Sequence, residues 1–142
     1  MRKFATVGSL ALLVCVVGAV GCAKSHKPAD PASLQGTWKS PVARGDQQPN
    51  TLVLQGNTLD FHAGNGQEWY KGTFVLQDDT NPKRMIVTIT DCPLPQYVGK
   101  TANAIYEVNN GTLVIAANEP GNPATPARFG MPGVAQLTLK LQ

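Results

Sequence analysis

The chain reads as an all-β protein: a single eight-stranded antiparallel up-and-down barrel, preceded by an N-terminal signal helix and a linker. Three observations predict it. From Leu34 onward, apolar residues recur at every second position against polar ones, the period of a strand with one buried face. Short clusters of Gly, Asn, Asp and Pro separate these runs, and hairpins of that kind make consecutive strands antiparallel neighbours. No segment beyond the linker carries a helical period. Eight such strands can close into a wall whose interior is filled by side chains or holds one small ligand. Closure also removes the open edges on which other chains would pair.

The N-terminus comes first. Arg2 and Lys3 precede a chargeless run from Phe4 to Val20, the layout of a secretory signal. That run stops slightly short of the roughly 20 residues a spanning helix needs. It ends in "GAVGC", with small residues at Ala19 and Gly21 ahead of Cys22. A peptidase working inside the bilayer must fit extended backbone just before its cut, and only Ala- or Gly-sized side chains avoid a clash there. The segment resembles the lipobox of bacterial lipoproteins. The resemblance implies that residues 1–21 are a signal peptide and that Cys22 becomes the lipidated first residue. It also implies an exported protein anchored in the cell envelope. With Ala23 rather than Asp after the cysteine, the outer membrane, facing the periplasm, is the expected address. At about 0.8 kcal/mol per buried CH₂ one acyl chain binds marginally, while two or three hold almost permanently.

Residues 22–33 are expected to be a polar, Pro-containing tether, with His26 a solvated linker side chain. Residues 34–142 form the barrel domain. Leu34, Gly36 and Trp38 share one face of the first strand, and Thr51 to Leu54 form a second, short strand. Leu59 and Phe61 mark the third; Tyr70, Gly72, Phe74 and Leu76 the fourth, closed by "DDTNP". Met85, Val87 and Ile89 mark the fifth, and Ala104, Tyr106 and Val108 the sixth. Asn110-Gly111 then suits the positive φ angles of a type I′ hairpin. Leu113, Ile115 and Ala117 follow, and Ala135, Leu137, Leu139 and Leu141 close the chain. Three connections are long: 41–49, 91–99 and 118–133. The last, rich in Pro and Gly, is the candidate for a flap over one barrel end, with Arg128 and Phe129 near its tip.

Charge and cysteines exclude several functions. The chain has 12 basic and 9 acidic residues, and Arg2 and Lys3 leave with the signal, so the mature domain is close to neutral. A near-neutral chain without a basic cluster makes a poor footprint for nucleic acid, and none is expected as partner. Cys15 departs with the signal and Cys22 is acylated, which leaves Cys92 without an intramolecular disulfide partner. Cys92 with His62 and Asp60 is the only conceivable nucleophilic set, and no spacing brings the three together. Asp78 and Asp79 beside Asn81 lack the ligand spacing of a calcium loop and read as a hairpin turn. No catalytic residue, metal or cofactor is expected.

Four segments, "LQGTW", "NPKRMIVTITD", "AIYEVNNGTLVIA" and "PARFG", together resemble a small, uncharacterised lipocalin-like domain family abundant in planctomycete-type bacteria and frequent in exported proteins. The resemblance runs from Leu34 to Gln142 and implies an antiparallel barrel related to lipocalins, with no activity to transfer. Gly36-Thr37-Trp38 also matches the G-x-W of true lipocalins, in which the indole plugs one barrel end beneath an arginine. Here the last strand offers Lys140, and Arg128 lies in the loop before it. Where the family commonly has Gly after Asp91, this chain has Cys92.

Fifteen bulky residues are expected to point inward: Trp38, Leu52, Leu54, Leu59, Phe61, Tyr70, Phe74, Met85, Val87, Ile89, Tyr106, Leu113, Ile115, Leu137 and Leu139. At about 1.5–3 kcal/mol for each buried side chain, a filled interior is the default, and a pocket forfeits part of that. Both arrangements stay open at this point. If there is a pocket, Trp38, Phe61, Tyr70, Phe74 and Tyr106 are the candidate ligand contacts. The function expected is a binding module for a small hydrophobic ligand; the alternative is a filled barrel that binds an envelope protein.

Overall fold

The computed structural model describes residues 31–41 and 48–142; the stretches read as signal sequence and tether up to residue 30, with Cys22, lie outside the described residues. Eight strands, β1 (Gly36–Lys39), β2 (Thr51–Gln55), β3 (Thr58–His62), β4 (Trp69–Gln77), β5 (Lys83–Asp91), β6 (Thr101–Asn109), β7 (Thr112–Ala117) and β8 (Ala135–Leu141), close into one barrel in sequence order. Every neighbour pair is antiparallel, so the chain runs up and down as the alternation predicts. The closing seam is brief: Trp38 pairs with Leu141 and Lys39 with Lys140.

The inward set is the one the period of two demands. All fifteen bulky residues belong to the interior cluster or pack against it. The Asn110-Gly111 turn has φ of 48° and 71°, the left-handed pair that a two-residue hairpin of this hand requires. Gly72 answers a different need. The β4/β5 register shifts between Lys71 and Gly72, and a Cβ on Gly72 would sit 2.3 Å from the carbonyl oxygen of Thr88. Such a bulge lets the wall bend sharply enough to close.

One boundary moves. Leu34 is expected at the head of the first strand, but Pro31–Leu34 form a 3-10 turn instead. That turn brings the Leu34 carbonyl to the Trp38 indole, whose Nε1–H donates to it at 2.9 Å in a buried position. Leu34 and Trp38 are almost fully buried and stopper the barrel at the end where the chain enters. The indole N–H thereby has the partner that a buried polar tip needs. Lys140, the residue of the last strand compared with the lipocalin arginine, instead donates from Nζ to the Thr112 hydroxyl at 2.6 Å.

Strict alternation of direction sorts the connections by end. Residues 56–57, 78–82 and 110–111 make tight turns at the stoppered end, where the Tyr106 hydroxyl donates to Asp78 Oδ1 at 2.5 Å. Burial first, and then the Asp78 carboxylate, push the Tyr106 phenol above its ordinary value. Asp78 therefore serves the hairpin by taking a tyrosine proton donor. Residues 40–41 and 48–50, together with the connections 63–68, 92–100 and 118–134, lead from strand ends at the opposite end. The three connections singled out as long in the sequence thus all leave from strand ends at the same opening.

Candidate functional site

At that opening the barrel is not filled. A cavity of about 710 Å³ runs down from it into the upper half of the barrel. The volume is in the range of small-molecule sites, roughly 300–1,000 Å³. Its origin lies in three rungs across β6, β7 and β8. Val108, Leu113 and Leu139 form the lowest rung, Tyr106, Ile115 and Leu137 the next, and Ala104, Ala117 and Ala135 the third. Side chains shrink toward the mouth, and the alanine rung leaves the space empty. Across the barrel stand Phe61 on β3 and Tyr70 on β4, whose rings stack with centroids 6.3 Å apart at 20°. Both line the cavity, as do all three alanines.

The floor and walls are apolar, from Leu59, Val87, Ile89 and Ile115, while the rim is polar. Two carboxylates sit on the rim, each tied to a tyrosine. The first is placed by the 63–68 connection. Asn65 Oδ1 accepts from the backbone N–H of Gln67 at 3.0 Å and of Glu68 at 3.3 Å, a turn that asparagine side chains favour. Glu68 is thereby set beside Tyr70, whose hydroxyl donates to Glu68 Oε1 at 3.2 Å. The second is placed by two connections together. A 3-10 turn at Pro95–Tyr97 swings Tyr97 into the mouth, and its hydroxyl donates to Glu119 Oε1. Glu119 is held by backbone bonds on either side of it, from Asn118 N–H to Asn103 O at 3.1 Å and from Gly121 N–H to Thr101 O at 2.8 Å.

Among the described residues, the charged side chains lining the cavity are of one sign. Burial pushes the Tyr70 phenol up to about 12, helped first by Glu68 and then, at longer range, by Cys92 and Glu119. Glu68 precedes β4 and Glu119 follows β7, so they approach the mouth from opposite walls. Among the described residues, no Lys, Arg or His lines the cavity.

Of the candidate ligand contacts, Phe61 and Tyr70 line this space, while Trp38, Phe74 and Tyr106 do not. Those three are buried in the closed lower half, where Trp38 and Tyr106 spend their polar atoms on Leu34 and Asp78. The filled interior expected by default is corrected by the alanine rung: the lower half is packed and the upper half is hollow.

The flap is corrected as well. The 118–134 connection does not cover the mouth; it folds down the outer wall. Asn103, which alternates outward between Ala102 and Ala104, donates from Nδ2 to the Asn122 carbonyl at 3.1 Å. Gln136, opposite Ala116 on β7, accepts at Oε1 from the Gly130 N–H at 2.7 Å. Beneath lie Ile105 and Ala116, outward-facing yet 0% and 1% exposed, and Pro126 of the connection is buried too. Apolar outward residues at this spot gave the connection a surface to cover, and it took that rather than the opening. Arg128 is exposed and Phe129 half-buried, away from the cavity, which only the two ends of the connection reach, at Asn118–Pro120 and Gly133.

The possible nucleophilic set is split across the wall. His62 Nε2 lies 2.9 Å from Asp60 Oδ1 on the outer face, where His62 also stacks on Trp69 and the Lys71 ammonium sits 5.8 Å from the Trp69 ring centroid. Cys92 belongs to the inner cluster, with its thiol donating to the Leu94 carbonyl at 3.0 Å. A histidine outside the wall does not activate a thiol inside it.

The fold and site together define a closed antiparallel β-barrel, stoppered at one end and hollow at the other. No family model, no curated protein and no solved structure matches the chain.

Proposed function

We propose that this chain is a binding barrel that takes up one small hydrophobic molecule through the loop-bearing end. The observation that carries the reading is the cavity of about 710 Å³ between the alanine rung and the Phe61–Tyr70 pair. An interior void in a barrel sacrifices packing that larger side chains would recover, at about 0.8 kcal/mol for each CH₂. A ligand with an apolar body restores that burial when it enters. The lipocalin-like motifs of the sequence support the same reading, and the lipobox around Cys22 supports display of the barrel from an envelope membrane by an N-terminal lipid. The tether would join the barrel at its stoppered end, where Leu34 lies.

Titration of the purified chain with N-phenyl-1-naphthylamine, a neutral dye that brightens in apolar surroundings, tests the reading. Saturable binding of one dye per barrel, displaced by dodecanol, is the expected result. A linear, non-saturating signal would refute it.

A further inference from the structure

The rim says more about the ligand than its apolar body does, and the step rests on the binding reading above. Glu68 and Glu119 face the mouth from opposite walls, and each carboxylate holds a tyrosine hydroxyl that stands at the same opening. Among the described residues, the amide side chains that line the rim, Gln48, Asn50, Asn65 and Asn118, are uncharged. The stem of Lys100, in one of the adjoining connections, runs beside Gly121, and Lys100 is not part of the cavity lining.

We infer that the barrel selects a cationic amphiphile: a molecule with an apolar chain that fills the alanine-walled cavity and an ammonium group that rests at the mouth between Glu68 and Glu119. Three physical arguments converge on this class. A cation at the rim is attracted by both carboxylates, whose like charges add at the mouth of a cleft with apolar walls that focus the field. Tyr70 and Tyr97 line the same opening with aromatic rings and hydroxyl oxygens, side chains of the kind that recognise ammonium groups. An anionic head, such as a carboxylate, sulfate or phosphate, would be repelled by both glutamates and would find no basic lining residue among the described residues to offset the cost. Ordinary fatty acids and anionic lipids are thus disfavoured by like charge, a selection exerted by repulsion as much as by attraction. A neutral amphiphile gains the burial of its chain alone and ranks between the two.

The test compares three probes of equal chain length, dodecyltrimethylammonium, dodecanol and dodecyl sulfate, each below its micellar concentration, by displacement of the neutral dye. The chain should bind the ammonium probe about tenfold or more tightly than the sulfate at low salt, with dodecanol intermediate. The interval should shrink in half-molar sodium chloride, since salt screens charges at an exposed rim. In the double variant Glu68→Gln/Glu119→Gln the interval between the ammonium and sulfate probes should fall below about threefold, each probe being read against that variant's own dye titration. Both residues are exposed and Gln is isosteric, so the barrel itself is left intact, as circular dichroism would record. Equal affinity for the two charged probes, preference for the sulfate, or an interval unchanged in the double variant would overturn the inference while dye binding stands. Failure of the dye and all three probes to bind would overturn the binding reading, and this inference with it.

Discussion

Ala104 on β6 pairs directly with Ala117 on β7, and both turn their methyl groups into the barrel. One pair further down, Tyr106 and Ile115 occupy the equivalent places, and beyond them Val108 and Leu113. The change in side-chain size along two adjacent strands is what separates a packed lower half from a hollow upper half. The binding function proposed for this barrel depends on that step.

The stopper should govern stability and leave binding alone. Trp38→Ala removes the largest buried side chain at the closed end and strands the Leu34 carbonyl. A loss of about 3–5 kcal/mol is expected, typical of aromatic truncation in a core. Urea denaturation measures it. The dye affinity of the fraction still folded should change by less than about threefold, because Trp38 does not touch the cavity.

Gly72 is expected to tolerate no side chain. In Gly72→Ala the added methyl meets the Thr88 backbone carbonyl, which cannot rotate away as a flexible side chain would. The β4/β5 bulge must then open, at a cost of about 2 kcal/mol or more. Soluble yield and the urea midpoint both report it; a midpoint equal to the parent's would show that the bulge is not needed for closure.

Alkaline pH should weaken the fold through Tyr70. Its phenol is raised from 10.0 to about 12 in the folded chain. The folded value lies above the unfolded one, so this stabilisation is complete below pH 10 and is lost as pH climbs from there through 12. Urea midpoints followed across that window should fall more steeply for the parent chain than for Tyr70→Phe, which has no proton to lose. Parallel curves would show that the rim does not hold the phenol in its protonated form.

Anchoring is read from the sequence at Cys22 and can be tested apart from the barrel. Mass spectrometry of the mature chain is expected to show a diacylglyceryl group on an N-terminal Cys22, and Cys22→Ala is expected to shift the protein out of the membrane fraction. An unmodified thiol at that position would remove the anchor from the account.

The architecture was legible because its signals are local and repeated. Alternation at Tyr70–Gln77 and Met85–Thr90, together with the turn residues Asn110-Gly111, specifies strands and hairpins without knowledge of partners. The cavity was not legible in the same way. Ala104, Ala117 and Ala135 each stand at an inward position of the alternation, but a list of bulky inward residues passes over them. Their alignment depends on the register of three strands, which emerges only when Ala104 meets Ala117 and Ala117 meets Ala135. The rim was harder still. Glu68 and Glu119 belong to connections far apart in the chain and meet at the mouth only because every second connection of an up-and-down barrel opens at the same end. That rule was available from the strand order alone, and the three long connections already obeyed it. The outward path of the 118–134 connection had a faint signal in Ile105, an apolar residue at an outward position that something had to cover.

The most direct test of the hollow barrel is the stoichiometry and affinity of N-phenyl-1-naphthylamine binding in the parent chain against Ala117→Phe. The variant places a ring in the middle of the alanine rung, where the cavity has room for it, and carries the same N-terminal segment, so any dye held there cancels. A folded variant with at least about tenfold weaker uptake is the predicted result. A folded variant that binds the dye as tightly as the parent chain would contradict the account.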